Sequence, residues 1–173
     1  MARVLIVAML VLAVVVGAAM YYLQVYAYYE DVVATEGDIT LTAADGGDPI
    51  TVPFSAFTGI DAISSPLRYR ACLTTDIDAG TLATAIPLPF AEPRIAPRWF
   101  DCFDARQIGA DLREGLATAY MGTANLQYGI DRVFAVYPDG RAYIWHEINA
   151  CGEAVFNRYP APDTCPPAPE SLQ

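Results

Sequence analysis

The stretch that most constrains this chain is its opening. Between Val4 and Tyr29 there is no charged residue, and Val4 to Met20 is entirely apolar or glycine. A helix needs about 20 residues to cross the roughly 30 Å hydrocarbon layer of a bilayer. This run reaches that length with residues to spare, so residues 1–29 are expected to be a transmembrane anchor that contacts lipid through residues 4–29. Its far end reads "YYLQVYAYY". Tyr21, Tyr22, Tyr26, Tyr28 and Tyr29 suit the interface, where a ring is buried and its hydroxyl hydrated. Arg3 and the amino terminus precede the run, whereas Glu30, Asp31, Glu36 and Asp38 follow it. The positive side stays in the cytoplasm, which sends everything after Tyr29 outside. A signal peptide cut after Ala19 is the alternative. A single n-region Arg, and apolar character that continues past Ala19, favour a retained anchor. The first cysteine is Cys72, so there is no lipid-attachment cysteine near the start.

Charge narrows the function classes. All ten basic residues are arginine, and the formal net charge is −10. An acidic surface disfavours nucleic acid as a partner. Without lysine there is no Walker loop and no Schiff-base nucleophile. The four cysteines, Cys72, Cys102, Cys151 and Cys165, all lie beyond the apolar run. An even number in an oxidising compartment reads as disulfides, with three pairings open. Short loops favour Cys72–Cys102 and Cys151–Cys165. A cysteine metal site would show paired ligands such as C-x-x-C, and these spacings are wider.

Residues 30–52 read as a tether containing a first strand near Asp38–Ala43. In "SSPLRYRACLTT", Leu67, Tyr69, Ala71 and Leu73 alternate with Arg68, Arg70 and Cys72, which is strand period. Arg68 and Arg70 then share a face and could clamp a carboxylate or phosphate. Asp76 and Asp78 form a D-x-D pair that could hold a divalent ion, although Asp78 also suits the cap of a helix starting near Ala79. Ile86 to Trp99 holds four prolines and reads as a surface loop. Asp101 and Asp104 could be taken for an acid–base pair, but Asp104 followed by Gln107 resembles a capping box. The helix that follows would bury Ala105, Ile108 and Leu112 and end at Glu114-Gly115. Ala117 to Met121 reads as a strand.

"IDRVFAVYPDGRAYIWHEI" is the clearest structural signal. Two apolar runs flank Asp139-Gly140, a favoured two-residue hairpin turn. That turn pairs Tyr137 with Ala142, Ala135 with Ile144 and Val133 with His146. Both faces are apolar, so the hairpin is expected to be central in an antiparallel sheet, covered by the Asp104 helix. A strand or turn should follow at 153–157. Residues 160–173 are a proline-rich tail stapled through Cys165.

His146 is the only histidine. Alternation places it on a core-like face with Ala142, Ile144 and Ile148, as a neutral imidazole bonded to a backbone carbonyl. With no second histidine, common multi-histidine metal sites are excluded. There is no G-x-S-x-G elbow, and nothing in the sequence ties Ser64 or Ser65 to His146.

The segments "YYLQVYAYYE", "SSPLRYRAC", "WFDCFDA", "YGIDRV", "DGRAYIWHEINACGE" and "CPPAPE" resemble a family of small membrane-anchored proteins of alphaproteobacteria with no established activity. The resemblance implies a Gram-negative inner membrane and a periplasmic domain. Members of that family carry a histidine-kinase label. This chain has no glycine-rich ATP lid, and its one histidine reads as a strand residue outside the cytoplasm.

The expectation is therefore an α+β protein: a transmembrane helix, then a small extracytoplasmic domain over residues 53–159 with an antiparallel sheet and one or two helices. Its function is expected to be that of a membrane-anchored periplasmic binding or assembly module for an envelope protein, with Arg68, Arg70 and Trp99 on the contact surface and no cofactor. The competing reading is a periplasmic enzyme or metal carrier using His146.

Overall fold

The computed structural model describes residues 2–170. Met1 and residues 171–173, the extremes of the expected anchor and tail, lie outside the described residues. Ala2–Tyr22 form helix α1, which runs into a wider π-type turn at Leu23–Ala27. Together Ala2–Ala27 are long and apolar enough to cross a membrane, and none of the segment is buried by the rest of the chain.

Eight strands follow. They are β1 (Glu30–Val32), β2 (Thr40–Leu41), β3 (Ile50–Thr51), β4 (Ser55–Asp61), β5 (Arg70–Thr74), β6 (Thr118–Gln127), β7 (Ile130–Val136) and β8 (Arg141–Ile148). Three short helices complete the domain: α2 (Ala79–Leu82), α3 (Ala105–Glu114) and α4 (Ala150–Phe156). Six strands make one antiparallel sheet in the order β1-β4-β5-β8-β7-β6, and β2 and β3 pair separately. The expected α+β architecture is the one observed.

The central strands are buried on both faces because each face has its own cover. On one side Tyr69, Ala71, Leu73, Phe134, Val136, Ala142 and Ile144 pack against Ile39, Leu41 and Val52 around β2 and β3. On the other, Cys72, Val133, Ala135 and Trp145 pack against Phe100, Phe103 and Ile108. The second cover is α3 and the segment before it. Asp104 caps α3 by accepting from the backbone N–H groups of Arg106 and Gln107. The Gln107 side chain does not close the capping box. It donates instead to buried Asp111 (2.8 Å), which also accepts from the Tyr137 hydroxyl (2.7 Å). Asp78 caps α2 through Thr81.

Both disulfides join the favoured partners, Cys72–Cys102 and Cys151–Cys165, and no described cysteine is free. The first ties β5 to the α3 layer. The second holds the tail on α4.

Three expectations need correction. The β7–β8 turn holds three residues, not two. The Tyr137 N–H bonds to the Arg141 carbonyl (2.9 Å) and the Gly140 N–H to the Tyr137 carbonyl (3.0 Å), with Gly140 at φ 87°. Pro138 favours the second position of a type I turn, and the glycine takes the left-handed residue after it. The register is therefore Val136↔Ala142, Val133↔Trp145 and Arg132↔His146. Val133 moves to the opposite face from His146, and Arg132 takes its place. The second correction is α4, which replaces the strand or turn expected at 153–157. Asn149 caps it by accepting from the Cys151 and Gly152 N–H groups. The third concerns residues 30–52: β2 falls within the strand expected at Asp38–Ala43, but the segment also supplies the edge strand β1, and Ile39, Leu41 and Val52 are core residues.

Helix α4 lies against the β6–β7 turn with backbone touching backbone. A Cβ on Gly152 would overlap the Gly129 carbonyl oxygen. Gly152→Ala should therefore cost about 1–3 kcal/mol, the usual penalty of overpacking a site that cannot yield. A urea titration of the purified domain would show this as a lowered midpoint; an unchanged midpoint would mean the two segments can separate freely.

Candidate functional site

Strand register brings the candidate residues to one end of the sheet. Glu30 of β1 directly follows Tyr29, and the ladder runs Glu30↔Asp61, Ile60↔Arg70, Arg70↔Trp145 and Arg132↔His146. All of these positions lie within a residue or two of the end where α1 arrives.

The end of α1 is bonded to the domain. A helix leaves its last four carbonyls without intrahelical donors. Here four of the five carbonyls in the π-type turn have one. Leu23 accepts from the Tyr28 N–H (3.1 Å) and Tyr26 from the Tyr29 N–H (3.2 Å). Gln24 accepts from Arg68 Nη1 (3.3 Å) and Val25 from Trp99 Nε1 (2.6 Å). The Trp99 ring stacks on Tyr26 and meets Tyr29 edge-on. The Arg68 guanidinium lies over the Tyr29 ring, 5.4 Å from its centre. Two of the residues expected on a contact surface thus hold the chain's own anchor.

Arg70, the third, is only 4 % exposed. Its Nε donates to the Arg94 carbonyl, its Nη1 to the carbonyls of Leu67 and Tyr69, and its Nη2 to that of Ile95. Burial lowers its pKa to about 10, with Arg94 pushing the same way and Tyr29 opposing. It remains a cation at neutral pH. Its donors serve the protein, so Arg68 and Arg70 do not act as a joint clamp.

His146 is also 4 % exposed. Its ring stacks on Tyr69 with centres 4.8 Å apart. Arg132 Nε can only donate, and it lies 3.2 Å from His146 Nε2. Nε2 must therefore accept, which leaves the proton on Nδ1, where it is donated to the Pro66 carbonyl at 2.7 Å. Burial is the main cause that lowers the His146 pKa, opposed by the Pro66 bond. The neutral imidazole thus pins the β4–β5 loop to β8. Glu147 faces the other way, accepting from Trp145 Nε1 (2.7 Å) and from the Glu92 backbone N–H, and burial raises its pKa.

His146 forms one wall of a half-open cleft of about 340 Å³ whose polar lining includes Asp61, Ser65, Gln127 and Arg132. The Arg132 guanidinium is held over Tyr69, 4.8 Å from the ring centre. Among the described residues its one hydrogen bond is that from Nε to His146. Among the described residues no group of three or more His, Cys, Asp or Glu side chains could hold a metal ion. Asp76 and Asp78 are not joined by a third ligand, and Asp104 is spent on the α3 cap.

Sequence reasoning did not single out Asp61 or Arg132. Arg132 was hidden by the one-residue error in hairpin register. Asp61 had no local signal; only the β1–β4 and β4–β5 pairings bring it here.

The fold and this arrangement define a small antiparallel α+β domain carried on an apolar N-terminal helix and stapled by two disulfides. Residues 39–166 match DUF6446, a family of unknown function, and the chain belongs to that family. No curated protein and no solved structure matches it.

A histidine whose pKa is lowered by folding takes up protons more readily in the unfolded chain. Stability from His146 is thus fully present above the unfolded value near 6.5 and is lost as pH falls through the folded value. His146→Phe should cost about 1–3 kcal/mol at pH 7.5, because the Pro66 carbonyl loses its donor. The gap between wild type and variant should narrow toward pH 5. Chemical denaturation at both pH values checks this, and a gap that widens on acidification contradicts a neutral imidazole.

Proposed function

We propose that this is a single-pass protein of a Gram-negative inner membrane, with its N-terminus in the cytoplasm and its domain in the periplasm. The domain serves as a non-enzymatic binding or assembly module that meets an envelope protein at the membrane surface. The observation that carries this reading is the capping of α1 by Trp99 and Arg68. A flexible linker would let the domain wander, whereas this junction holds the His146 cleft at a fixed height and orientation beside the bilayer. Confining a partner to the same surface raises its effective concentration without any new contact. The two disulfides support an oxidising compartment.

The cleft suits recognition better than catalysis. Its histidine has both ring nitrogens engaged and its pKa lowered. A general base or metal ligand needs a free nitrogen, and a phospho-acceptor needs exposure. The same facts weigh against a metal carrier using His146 and against histidine-kinase chemistry. The unshared donors of Arg132 and the Asp61 carboxylate instead offer fixed polar contacts on an apolar floor, as binding clefts do.

Two experiments test the reading. Alkaline phosphatase fused after Gln173 should be active and β-galactosidase inactive; the reverse would invert the topology. A photo-crosslinking residue at Gln127, in the cleft, should yield one discrete adduct in native membranes. The same residue at Asp139, on the far turn, should not. Asp61→Ala with Arg132→Ala should abolish the adduct. No adduct at either position, or equal adducts at both, would remove the binding role.

A further inference from the structure

Beside the α1 cap lies a second hollow, of about 520 Å³, on the other side of the β4–β5 loop from the His146 cleft. Its lining includes Tyr29, Arg68, Arg70, Glu92, Arg94 and Ile95. Arg70 is fully engaged, as described above. Arg68 uses one donor on Gln24, and its Nε and Nη2 meet no acceptor among the described residues. The Arg94 side chain is exposed and makes no hydrogen bond to any described residue. Glu92 is exposed in the same hollow, yet neither arginine lies within 4.0 Å of it, since the one described ion pair joins Arg141 to Asp139. Two cations and one anion thus share a hollow without neutralising one another.

The apolar side chains around this hollow are equally unusual. Ile95, which lines the hollow, is 78 % exposed, and Ile63, on the β4–β5 loop where it borders the His146 cleft, is 97 % exposed. Water is an unfavourable place for both. The end of α1 fixes what lies next to them. At about 1.5 Å per residue, the 21 residues of Ala2–Tyr22 span about 31 Å, the hydrocarbon thickness. The following turn, whose Gln24 and Val25 carbonyls accept from Arg68 and Trp99, then falls in the headgroup layer. The hollow falls there with it.

We propose that this hollow seats the headgroup of an amino-phospholipid from the periplasmic leaflet of the bilayer that α1 crosses. Arg68 and Arg94 donate to the phosphate, Glu92 accepts from the ammonium group, and Ile63 and Ile95 enter the acyl boundary. A guanidinium fork suits a phosphate, and the carboxylate beside it favours a zwitterionic headgroup over an anionic one. The domain then sits down on the membrane instead of standing off it. The inference rests on the reading that α1 spans the bilayer.

The test uses the full chain in nanodiscs containing equal amounts of phosphatidylethanolamine and phosphatidylglycerol. Native mass spectrometry should find phosphatidylethanolamine retained several-fold over phosphatidylglycerol. Arg94→Gln, which leaves the α1 cap intact, should reduce retention at least fivefold, and Glu92→Gln should abolish the preference. No retained lipid, or equal retention of the two in wild type, overturns the proposal. A fluorophore on a single introduced cysteine separates it from the anchor reading, because the native cysteines are paired. With brominated phospholipid, labels at Leu12→Cys and Ile95→Cys should be quenched, and one at Asp139→Cys should not. Quenching at position 12 without quenching at 95 overturns the seat while leaving the anchor in place. No quenching at position 12 overturns both.

Discussion

A helix that ends at a membrane surface carries carbonyl groups that need donors where bulk water is scarce. In this protein the domain supplies two of them. Trp99 reaches Val25 and Arg68 reaches Gln24, while Tyr26 and Tyr29 close around the tryptophan ring. Both accepting carbonyls lie within the π-type turn at Leu23–Ala27. Geometry and chemistry agree here, since an indole has an apolar body and one donor and so suits an interface. Much of what lies at this end of the sheet takes its position relative to α1 from these contacts.

The loops that reach the junction are held from inside by Arg70. Burying a guanidinium removes a full charge from water, and only fixed acceptors can offset that cost. Four backbone carbonyls do so, two from Leu67 and Tyr69 and two from Arg94 and Ile95. One cation therefore clamps both bordering loops in register with β5. His146 repeats the device one strand away, holding Pro66 through Nδ1. A buried polar side chain with backbone acceptors on a loop fixes that loop as surely as a hairpin would, and it leaves the loop surface free for contacts. The side chains that look most chemical in the sequence thus serve as braces for the loops that carry the exposed residues.

Elements whose signal is local were legible in the sequence. The apolar run, the caps at Asp78 and Asp104 and the existence of the central hairpin follow from residues a few positions apart, and the two disulfide pairings, across 30 and 14 positions, are those that close the shorter loops. What the sequence hid depends on distant pairing. The core role of Leu41 and Val52 is not visible locally, because the surfaces they cover include strands beyond residue 69. Asp61 joins the cleft only through the register of β1 and β4 with their neighbours. Helix α4 was missed although Asn149 is a good cap, because the capped segment is short and β-prone residues flank it.

The most consequential miss was a single residue of register. A one-residue shift moves every side chain of a strand to the opposite face. With Asp139-Gly140 as the whole turn, His146 faces Val133 and belongs to a sealed apolar core. Pro138 lengthens the turn, and the residue opposite His146 becomes Arg132. That exchange changes the chemistry of the site. An imidazole against valine can only be structural, whereas an imidazole that accepts from an arginine fixes the guanidinium at a cleft wall with its remaining donors unshared. On a chain of formal net charge −10, such an arginine is a local exception to the surrounding field. An incoming group must then match it by position as well as by sign, because long-range attraction will not bring an anion here. Any contact made at this cleft depends on short-range geometry, to which the hydrogen-bonded junction with α1 contributes.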